Sequence, residues 1–522
     1  MIVIDGKEIE FEEGKTILEL ARANDIYIPT LCDHEYLDSF GACRLCLVQV
    51  EGMRGFTTAC TTPAKKDMKV TTNSEEINKL RRSIYELIMT EHPNSCLVCS
   101  MAESCNERNC GLQKSGHITG CQTCPNRDNC ELRIVGEKIG FETVRFPTLY
   151  KSLPLERYDP FFDRDYNICI LCGRCVRVCQ DLAGAGVLVF TKRGHETKIG
   201  TAFEKPHILT ECRFCGACVD VCPTGALSAR NQKWYREPDN RIITTCMLCS
   251  KGCQLEMESK WNYIMSVRPD PDHIPSHYNI CVKGRFCLPV LFNDTERLKL
   301  PLIMRTHKQF PSNWRDAANT VAKIFKETPV NEIALYLSPF LTDEAFYLFN
   351  KFAKALGLEN VFTSQEELEV IPKKKIKVLY TTEGVFDSSI LDSLESYILQ
   401  DIFPSTGFEQ AAVVLPTTAF TEEKGSITTK EGVRKIEPIV PAPGLAQPDW
   451  KILCQLAEDL NLSGFEFQNT DEINSDMINS NYSAPLREID KYYLNYRGTA
   501  ISDKVPDFDI LLKARKNRKT PW

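Results

Sequence analysis

Between Cys169 and Cys222 one cysteine spacing occurs twice, and a chain that carries it has to be arranged around the sites those thiols form. Cys169, Cys172, Cys175 and Cys179 follow a C-x2-C-x2-C-x3-C pattern; after thirty-two residues Cys212, Cys215, Cys218 and Cys222 repeat it, closed by Pro223-Thr224-Gly225. Runs of this spacing hold [4Fe-4S] clusters, the fourth cysteine of each run reaching the cluster of the other. The expected sets are therefore Cys169, Cys172, Cys175 and Cys222 for one cluster, and Cys212, Cys215, Cys218 and Cys179 for the other. Paired C-x-x-C motifs also bind zinc, but three thiolates at two-residue gaps, doubled, favour iron. The first run continues into Gln180 where the second has Pro223, which leaves the ligands unchanged.

The rest of the composition narrows the setting. All but one of the 25 cysteines lie before residue 290, and the N-terminus Met1-Ile-Val-Ile-Asp-Gly-Lys-Glu does not read as an export signal, so the cysteines are expected to be metal ligands and not disulfides. No apolar run reaches the ~18 residues of a membrane helix, so a cytoplasmic location without a membrane span is expected. The net charge of -7 gives no reason to expect nucleic acid. The basic tail Lys513-Ala-Arg515-Lys516-Asn-Arg518-Lys519 is a solvated end or a docking strip for an acidic partner. At 522 residues the chain holds several domains.

Residues 1–76 read as a small β-grasp domain. Val3 and Ile4, an Asp5-Gly6 turn, then Ile9 and Phe11 form a hairpin, and Thr16 with Glu19 offers a capping box for a helix from Ile17 to Ala23. Cys32, Cys43, Cys46 and Cys60 follow, with Gly41 ahead of the middle pair. Four such thiolates suit a [2Fe-2S] cluster, although the first gap is wider and the last shorter than in plant-type ferredoxins. This variant, Gly41-Ala-Cys43-Arg-Leu-Cys46 included, resembles the N-terminal domain of the large iron-sulfur subunit of respiratory complex I and of iron-only hydrogenases. The double run at 151–236 likewise resembles a bacterial-type 2[4Fe-4S] ferredoxin, and the glycine-bearing loop between its halves is expected to form a hairpin over one cluster.

In the segment 77–150, a helix from about Glu75 to Thr90 is expected to turn Ile77, Leu80, Ile84, Leu87 and Ile88 to one face, and Pro93 marks its stop. His92, Cys96, Cys99 and Cys105 then resemble the one-histidine, three-cysteine [4Fe-4S] site of the same complex I subunit. The spacing returns 25 residues later as His117, Cys121, Cys124 and Cys130, with Cys110 between. This duplication predicts an additional [4Fe-4S] cluster on Cys121, Cys124 and Cys130. Its fourth ligand is either Cys110 or His117, the thiolate being the commoner donor, and a structural zinc is the alternative occupant.

Cys246, Cys249, Cys253 and Cys281, followed by Val-Lys283-Gly284-Arg285, are similar to the N-terminal [4Fe-4S] domain of molybdopterin oxidoreductases such as formate dehydrogenase; the domain is taken as 237–300. In that family the matching lysine lies between cluster and pterin, which makes Lys283 the candidate cofactor-binding residue. Cys287 and Cys454 read as buried small hydrophobes. Residues 301–522 read as α/β, with strands over Glu332–Ser338 and Ile376–Thr381 and a helix over Asp343–Leu356 closed by Gly357. They resemble a truncated molybdopterin-oxidoreductase domain. Only about 40 residues separate the two strands, and the cysteine or selenocysteine that binds molybdenum in that family is not found there, so no molybdopterin is expected.

The fold class is therefore α+β multidomain, and the chain resembles a shortened homologue of the complex I large iron-sulfur subunit, of the kind found in NAD(P)-linked hydrogenase, formate dehydrogenase or transhydrogenase complexes. That resemblance implies one [2Fe-2S] and four to five [4Fe-4S] clusters acting as a wire, with no catalytic residue in this chain. No Walker motif and no G-x-G-x-x-G after a strand is present, which assigns NAD(P) and flavin to a partner subunit accompanied by a thioredoxin-like [2Fe-2S] subunit. Ferredoxin, a hydrogenase or a formate dehydrogenase stands at the other end. The alternatives are a catalytic molybdopterin oxidoreductase, or a scaffold with zinc in some cysteine sites. Electron bifurcation has no sequence signature here.

Overall fold

The computed structural model describes residues 1–94, 121, 124–127, 129–232, 237–272, 280–385, 387–487, 489–490, 493–516 and 518. Cys96, Cys99, Cys105, Cys110 and His117 lie outside them. The chain divides into two compact units, Met1–Glu237 and Pro238–Pro521.

The first unit opens with a five-stranded sheet in the order β2-β1-β5-β3-β4, built from β1 (Ile2–Ile4), β2 (Lys7–Ile9), β3 (Leu47–Val50), β4 (Phe56–Thr58) and β5 (Lys69–Thr71). Asp5 and Gly6 both take positive φ, the geometry a two-residue hairpin needs, and Ile2 faces Ile9 across it. Helix α1 (Ile17–Ala23) starts on the expected capping box: the Glu19 amide donates to Thr16 Oγ1 at 3.2 Å, and the Thr16 amide donates to the Glu19 carboxylate at 2.7 Å. Ile17, Leu18, Leu20 and Ala21 pack on Ile2, Ile4, Val48, Val50 and Val70.

Helix α2 (Glu75–Met89) forms where expected, with an inward face that includes Ile77, Ile84 and Ile88 of the expected stripe but also polar positions, and that leaves Leu87 out. Ile77, Arg81, Tyr85, Glu86 and Met89 are buried, whereas Leu87 is 59% exposed. The reason is polar. Arg81 donates to the carbonyls of Leu45 (3.1 Å) and Leu47 (2.7 Å), and Tyr85 donates to the carbonyl of Leu132 (2.8 Å). These long-range bonds bury polar positions beside the apolar stripe, of which Ile77 is buried and Ile84 and Ile88 pack against the same core. Helix α3 (Glu131–Lys138) packs on α2 at Gly136, where a Cβ would lie 2.5 Å from the Tyr85 hydroxyl.

Further along, β6 (Phe162–Arg164) pairs with the later strand Leu227–Ala229. Each cysteine run feeds a short helix, α4 (Arg174–Arg177) and α5 (Ala217–Asp220), and each helix follows a left-handed glycine, Gly173 or Gly216. Leu171 and Phe214 share a positive φ at matching positions, so the sequence duplication is also a backbone duplication. Between the halves, β7 (Leu188–Thr191) and β8 (Lys198–Thr201) form the expected antiparallel hairpin.

In the second unit, β9 (Asn240–Thr245), β10 (Gln254–Lys260) and β11 (Tyr263–Pro269) make an antiparallel sheet. A seven-stranded sheet follows. Five of its strands, Ile333–Tyr336, Asn360–Phe362, Val378–Thr381, Ser396–Asp401 and Val413–Pro416, are parallel. Alternate residues feed two cores, Leu335, Tyr380 and Ile398 on one face and Tyr336, Leu379 and Leu399 on the other, as a sheet covered on both sides requires. The helix Asp343–Leu356 matches expectation, with Thr342 capping its start and left-handed Gly357 its end. Among the described residues, no helix is long and apolar enough to cross a membrane.

Candidate functional site

The first thiol group gathers around the end of the N-terminal sheet. Cys32 follows α1, Cys43 and Cys46 lie in the loop entering β3, and Cys60 follows β4. Cys46 Sγ and Cys60 Sγ stand 3.3 Å apart, and the Cys43 amide donates to Cys32 Sγ at 3.4 Å. Gly41 sits at positive φ with Thr61 against it, so a side chain there would be both strained and crowded. Hydrogen bonds from Cys43 and the charge of Arg177 pull the Cys32 thiol down to about 6, against the opposing effect of burial.

In the double run, Cys169, Cys172, Cys175 and Cys222 line one cavity of about 30 Å³, roofed by Leu188 and Ile199 of the β7–β8 hairpin. Three come from the first run and the last from the second. Cys212, Cys215 and Cys179 lie within electrostatic reach of Cys218. Burial pushes Cys169 up to about 11 and Cys172 up to about 12, and holds Cys175 and Cys218 high as well. Such thiols stay neutral unless a cation joins them, and a bound metal deprotonates its thiols outright. Main-chain amides are already turned toward sulfur: Val187 donates to Cys179 at 3.3 Å and Phe214 to Cys212 at 3.4 Å. The donor set fits iron–sulfur cores, whose potentials respond to such N–H···S bonds.

Beside this cavity, Arg174 is almost fully buried and makes a fork–fork pair with Glu131, at 2.6 and 2.8 Å, on the residue after Cys130. The Glu131 amide donates to the carbonyl of Pro223, next to Cys222, at 3.0 Å. Cys124 Sγ faces Gly225 so closely that a Cβ there would lie 2.7 Å from it. The later cysteines of the duplicated loop thus share a wall with the Cys222 turn. His92 is buried at the end of α2, its Nδ1 donating to the Pro93 carbonyl at 3.0 Å, which leaves Nε2 as the lone-pair nitrogen. Burial lowers His92 to about 4, so the ring is neutral at neutral pH.

In the second unit Cys246, Cys249 and Cys253 sit in the loop between β9 and β10, the Cys246 amide closing on the Cys253 carbonyl at 2.9 Å. Cys253, Cys249 and Cys281 lie within electrostatic reach of Cys246. Lys283 is fully buried, and its ammonium donates to the carbonyls of Leu248 (3.2 Å) and Tyr493 (2.7 Å). Cys287 is fully buried and Cys454 packs at the edge of the larger core. Among the described residues, no three His, Cys, Asp or Glu side chains converge as tightly as a single metal ion requires.

Sequence reasoning passed over Arg174, Arg177 and Glu131. Both arginines lie inside the first cysteine run, three positions apart on one turn of helix. Only that position gives them away, since nothing in the sequence places their partners.

Four stretches match known families. Residues 1–75 match the 2Fe-2S iron-sulfur cluster binding domain and 159–228 the NADH-quinone oxidoreductase subunit 3 ferredoxin-like domain. Residues 240–291 match the molybdopterin oxidoreductase Fe4S4 domain and 363–459 molybdopterin oxidoreductase itself. Among curated relatives, the NADPH-Fe(3+) oxidoreductase subunit alpha of Geobacter sulfurreducens is 33% identical over 368 residues, covering 69% of this chain and 40% of the relative. An NADH-quinone oxidoreductase subunit of Rhizobium meliloti is 31% identical, covering 68% of this chain and 39% of the relative. The NADP-reducing hydrogenase subunit HndD of Solidesulfovibrio fructosivorans is 35% identical over 46% of this chain and 39% of its own length. The chain therefore spans about two fifths of the length of these relatives.

Proposed function

Because the chain is a homologue of the large iron-sulfur subunits of NAD(P)H-linked oxidoreductases, we propose that it serves as the electron-transfer subunit of such a complex. The observation that carries this reading is the succession of gathered thiols, in chain order Cys32–Cys60, Cys169–Cys222 and Cys246–Cys281, with His92, Cys121, Cys124 and Cys130 between the first two. When bound, iron-sulfur clusters supply one-electron redox chemistry between a hydride carrier and single-electron partners.

The chain's own residues do the remainder. Cys32, Cys43, Cys46 and Cys60 would hold a [2Fe-2S] core. Cys169, Cys172, Cys175 and Cys222, then Cys212, Cys215, Cys218 and Cys179, would hold two [4Fe-4S] cores, and Cys246, Cys249, Cys253 and Cys281 another. Main-chain amides orient and stabilise the thiolates, and Leu188 and Ile199 keep water from the Cys169 group. Hydride chemistry belongs to a flavin- and NAD(P)-binding partner with a thioredoxin-like [2Fe-2S] companion. The electrons pass on to ferredoxin, a hydrogenase or a formate dehydrogenase.

One observation favours a second reading, a catalytic molybdopterin oxidoreductase. A cavity of about 480 Å³, lined by Tyr336, Thr363, Ser364, Gln365, Arg487 and Tyr493, opens at the carboxyl ends of parallel strands in the second unit, where α/β sheets bind ligands. Tyr493 also supplies a carbonyl to Lys283.

The experiment is anaerobic purification of the complex with its partners, addition of NADH or NADPH, and paramagnetic resonance of this chain's clusters. Reduction that depends on the flavoprotein supports the wire; pterin bound to this chain, with turnover lost on its removal, supports the second reading.

A further inference from the structure

Lys283 is the residue that a pterin beside the Cys246 site would need, and what its ammonium touches decides whether the chain fits one. It is fully buried, and two of its three N–H donors are spent on main-chain carbonyls, Leu248 at 3.2 Å and Tyr493 at 2.7 Å. Leu248 belongs to the cysteine loop itself. Tyr493 belongs to a part of the chain beyond the stretches that match known families.

The same part of the chain meets the loop at Ser250, between Cys249 and Cys253. The Ser250 amide donates to the Ile489 carbonyl at 3.0 Å, its hydroxyl lies 2.8 and 2.9 Å from the carbonyls of Arg487 and Ile489, and that hydroxyl accepts from the Ile489 amide. Side chains to either end anchor this main chain. Arg487 forms a buried ion pair with Asp343, and Arg497 forms one with Asp449. Tyr496 is fully buried against Phe292 and Phe340. Arg487, Ile489 and Tyr493 also line the cavity of about 480 Å³, whereas among the described residues none of 246–253 or 281–287 does. Their main chain therefore stands between the cavity and the cysteine loop.

We infer that Lys283 is a positioning residue in this chain: with Ser250 it holds the main chain of Arg487, Ile489 and Tyr493 against the cysteine loop, where a pterin beside the ammonium would have to lie. The site of Cys246, Cys249, Cys253 and Cys281 is thereby walled off from the cavity, and the residues present do not fit a pterin joined to it through Lys283. The inference rests on the iron-sulfur reading proposed above and counts against the second.

The test uses the purified holo complex from cells grown with molybdate. Hydrogen exchange at the Ser250 and Ile489 amides is expected to be slow in the wild type and about tenfold faster in Lys283→Met, a hydrogen bond from a charged group being worth roughly that factor or more. Ser250→Ala leaves every charge in place. It is expected to speed exchange at Ile489 likewise, and to move the midpoint potential of the Cys246 cluster, the signal missing from Cys281→Ser, to more positive values as water reaches it. Should Lys283→Met fail to assemble, Ser250→Ala decides alone. Pterin bound to the wild-type chain, or exchange and potential in Ser250→Ala equal to those of the wild type, overturns the inference. A wild-type chain without iron at this site defeats the iron-sulfur reading instead, a separate result.

Discussion

The guanidinium of Arg177, which stands between Cys175 and Cys179, donates to the main-chain carbonyl of Cys32. A second nitrogen of the same group donates to the carbonyl of Asp38, and the cation lies over the Phe40 ring, 5.2 Å from its centroid. One residue of the double run therefore touches the loop of the first thiol group. A positive charge there favours the reduced, more negative state of a cluster on Cys32. For a partly screened charge the effect is on the order of 1 kcal/mol, roughly 40 mV for one electron.

Arg177→Leu is expected to move the [2Fe-2S] midpoint potential to more negative values by about that amount, with iron content unchanged. Arg177→Lys is expected to recover most of the shift. A redox titration followed by paramagnetic resonance checks both. Equal potentials in wild type and Arg177→Leu would show that the charge does not act on this site.

Much of this architecture is legible in the sequence where the signal is local. The capping box Thr16–Glu19, the Asp5-Gly6 turn and the helix Asp343–Leu356 with Gly357 behind it all rest on contacts within a few residues. The buried face of α2 does not. Arg81 and Tyr85 look like exposed polar positions in a helical repeat, yet both are buried because their partners, Leu45, Leu47 and Leu132, lie 34 to 47 residues away. The cysteine runs are legible because their spacing is itself local. The arginines that join them are not, since a hydrogen bond to a carbonyl 145 residues away leaves no periodic trace.

The Arg174–Glu131 pair is asymmetric. Arg174 has 2% of its side chain exposed and Glu131 has 43%. Removing the glutamate strands a buried cation, whereas removing the arginine leaves a carboxylate that water can reach. Glu131→Ala is therefore expected to cost about 3 kcal/mol and Arg174→Met only about 1 kcal/mol. Denaturant unfolding of the cluster-loaded complex, followed by the absorbance of the clusters, ranks the two; a larger loss for Arg174→Met would contradict the argument.

Gly225 takes no left-handed backbone, so space alone demands glycine there. Its Cβ would lie 2.7 Å from Cys124 Sγ and 3.2 Å from Ile168 and Pro125. Gly225→Ala is expected to displace Cys124 and remove about four iron atoms, the content of one cubane, while the [2Fe-2S] signal persists. Full iron content in the variant would place Cys124 outside any cluster set.

Asp401 accepts from the amides of Gly384 (3.0 Å) and Ile402 (2.6 Å), yet burial outweighs these bonds and the nearby Arg497 and lifts its carboxyl to about 7. Burial raises the neighbouring Glu383 in the same direction. Because the folded value exceeds the unfolded value of about 4, the folded state holds the proton that the unfolded state releases. This contribution to stability is complete below about pH 4 and is lost as pH rises through about 7. Stability of the second unit measured between pH 5 and 8 should fall with pH, and Asp401→Asn should flatten the slope. An unchanged slope would show that Asp401 is not its source.

The central claim, that this chain is a wire of iron-sulfur clusters, is tested most directly by elemental analysis of iron, zinc and molybdenum on the anaerobically purified complex, with its subunits quantified by mass spectrometry. One two-iron and five four-iron sites predict about 22 iron atoms in this chain, and about 18 without the site at Cys121, Cys124 and Cys130. A value near 22 without molybdenum, and with a flavoprotein present, is the expected result. Stoichiometric molybdenum in this chain, or zinc in place of four or more irons, would contradict the account.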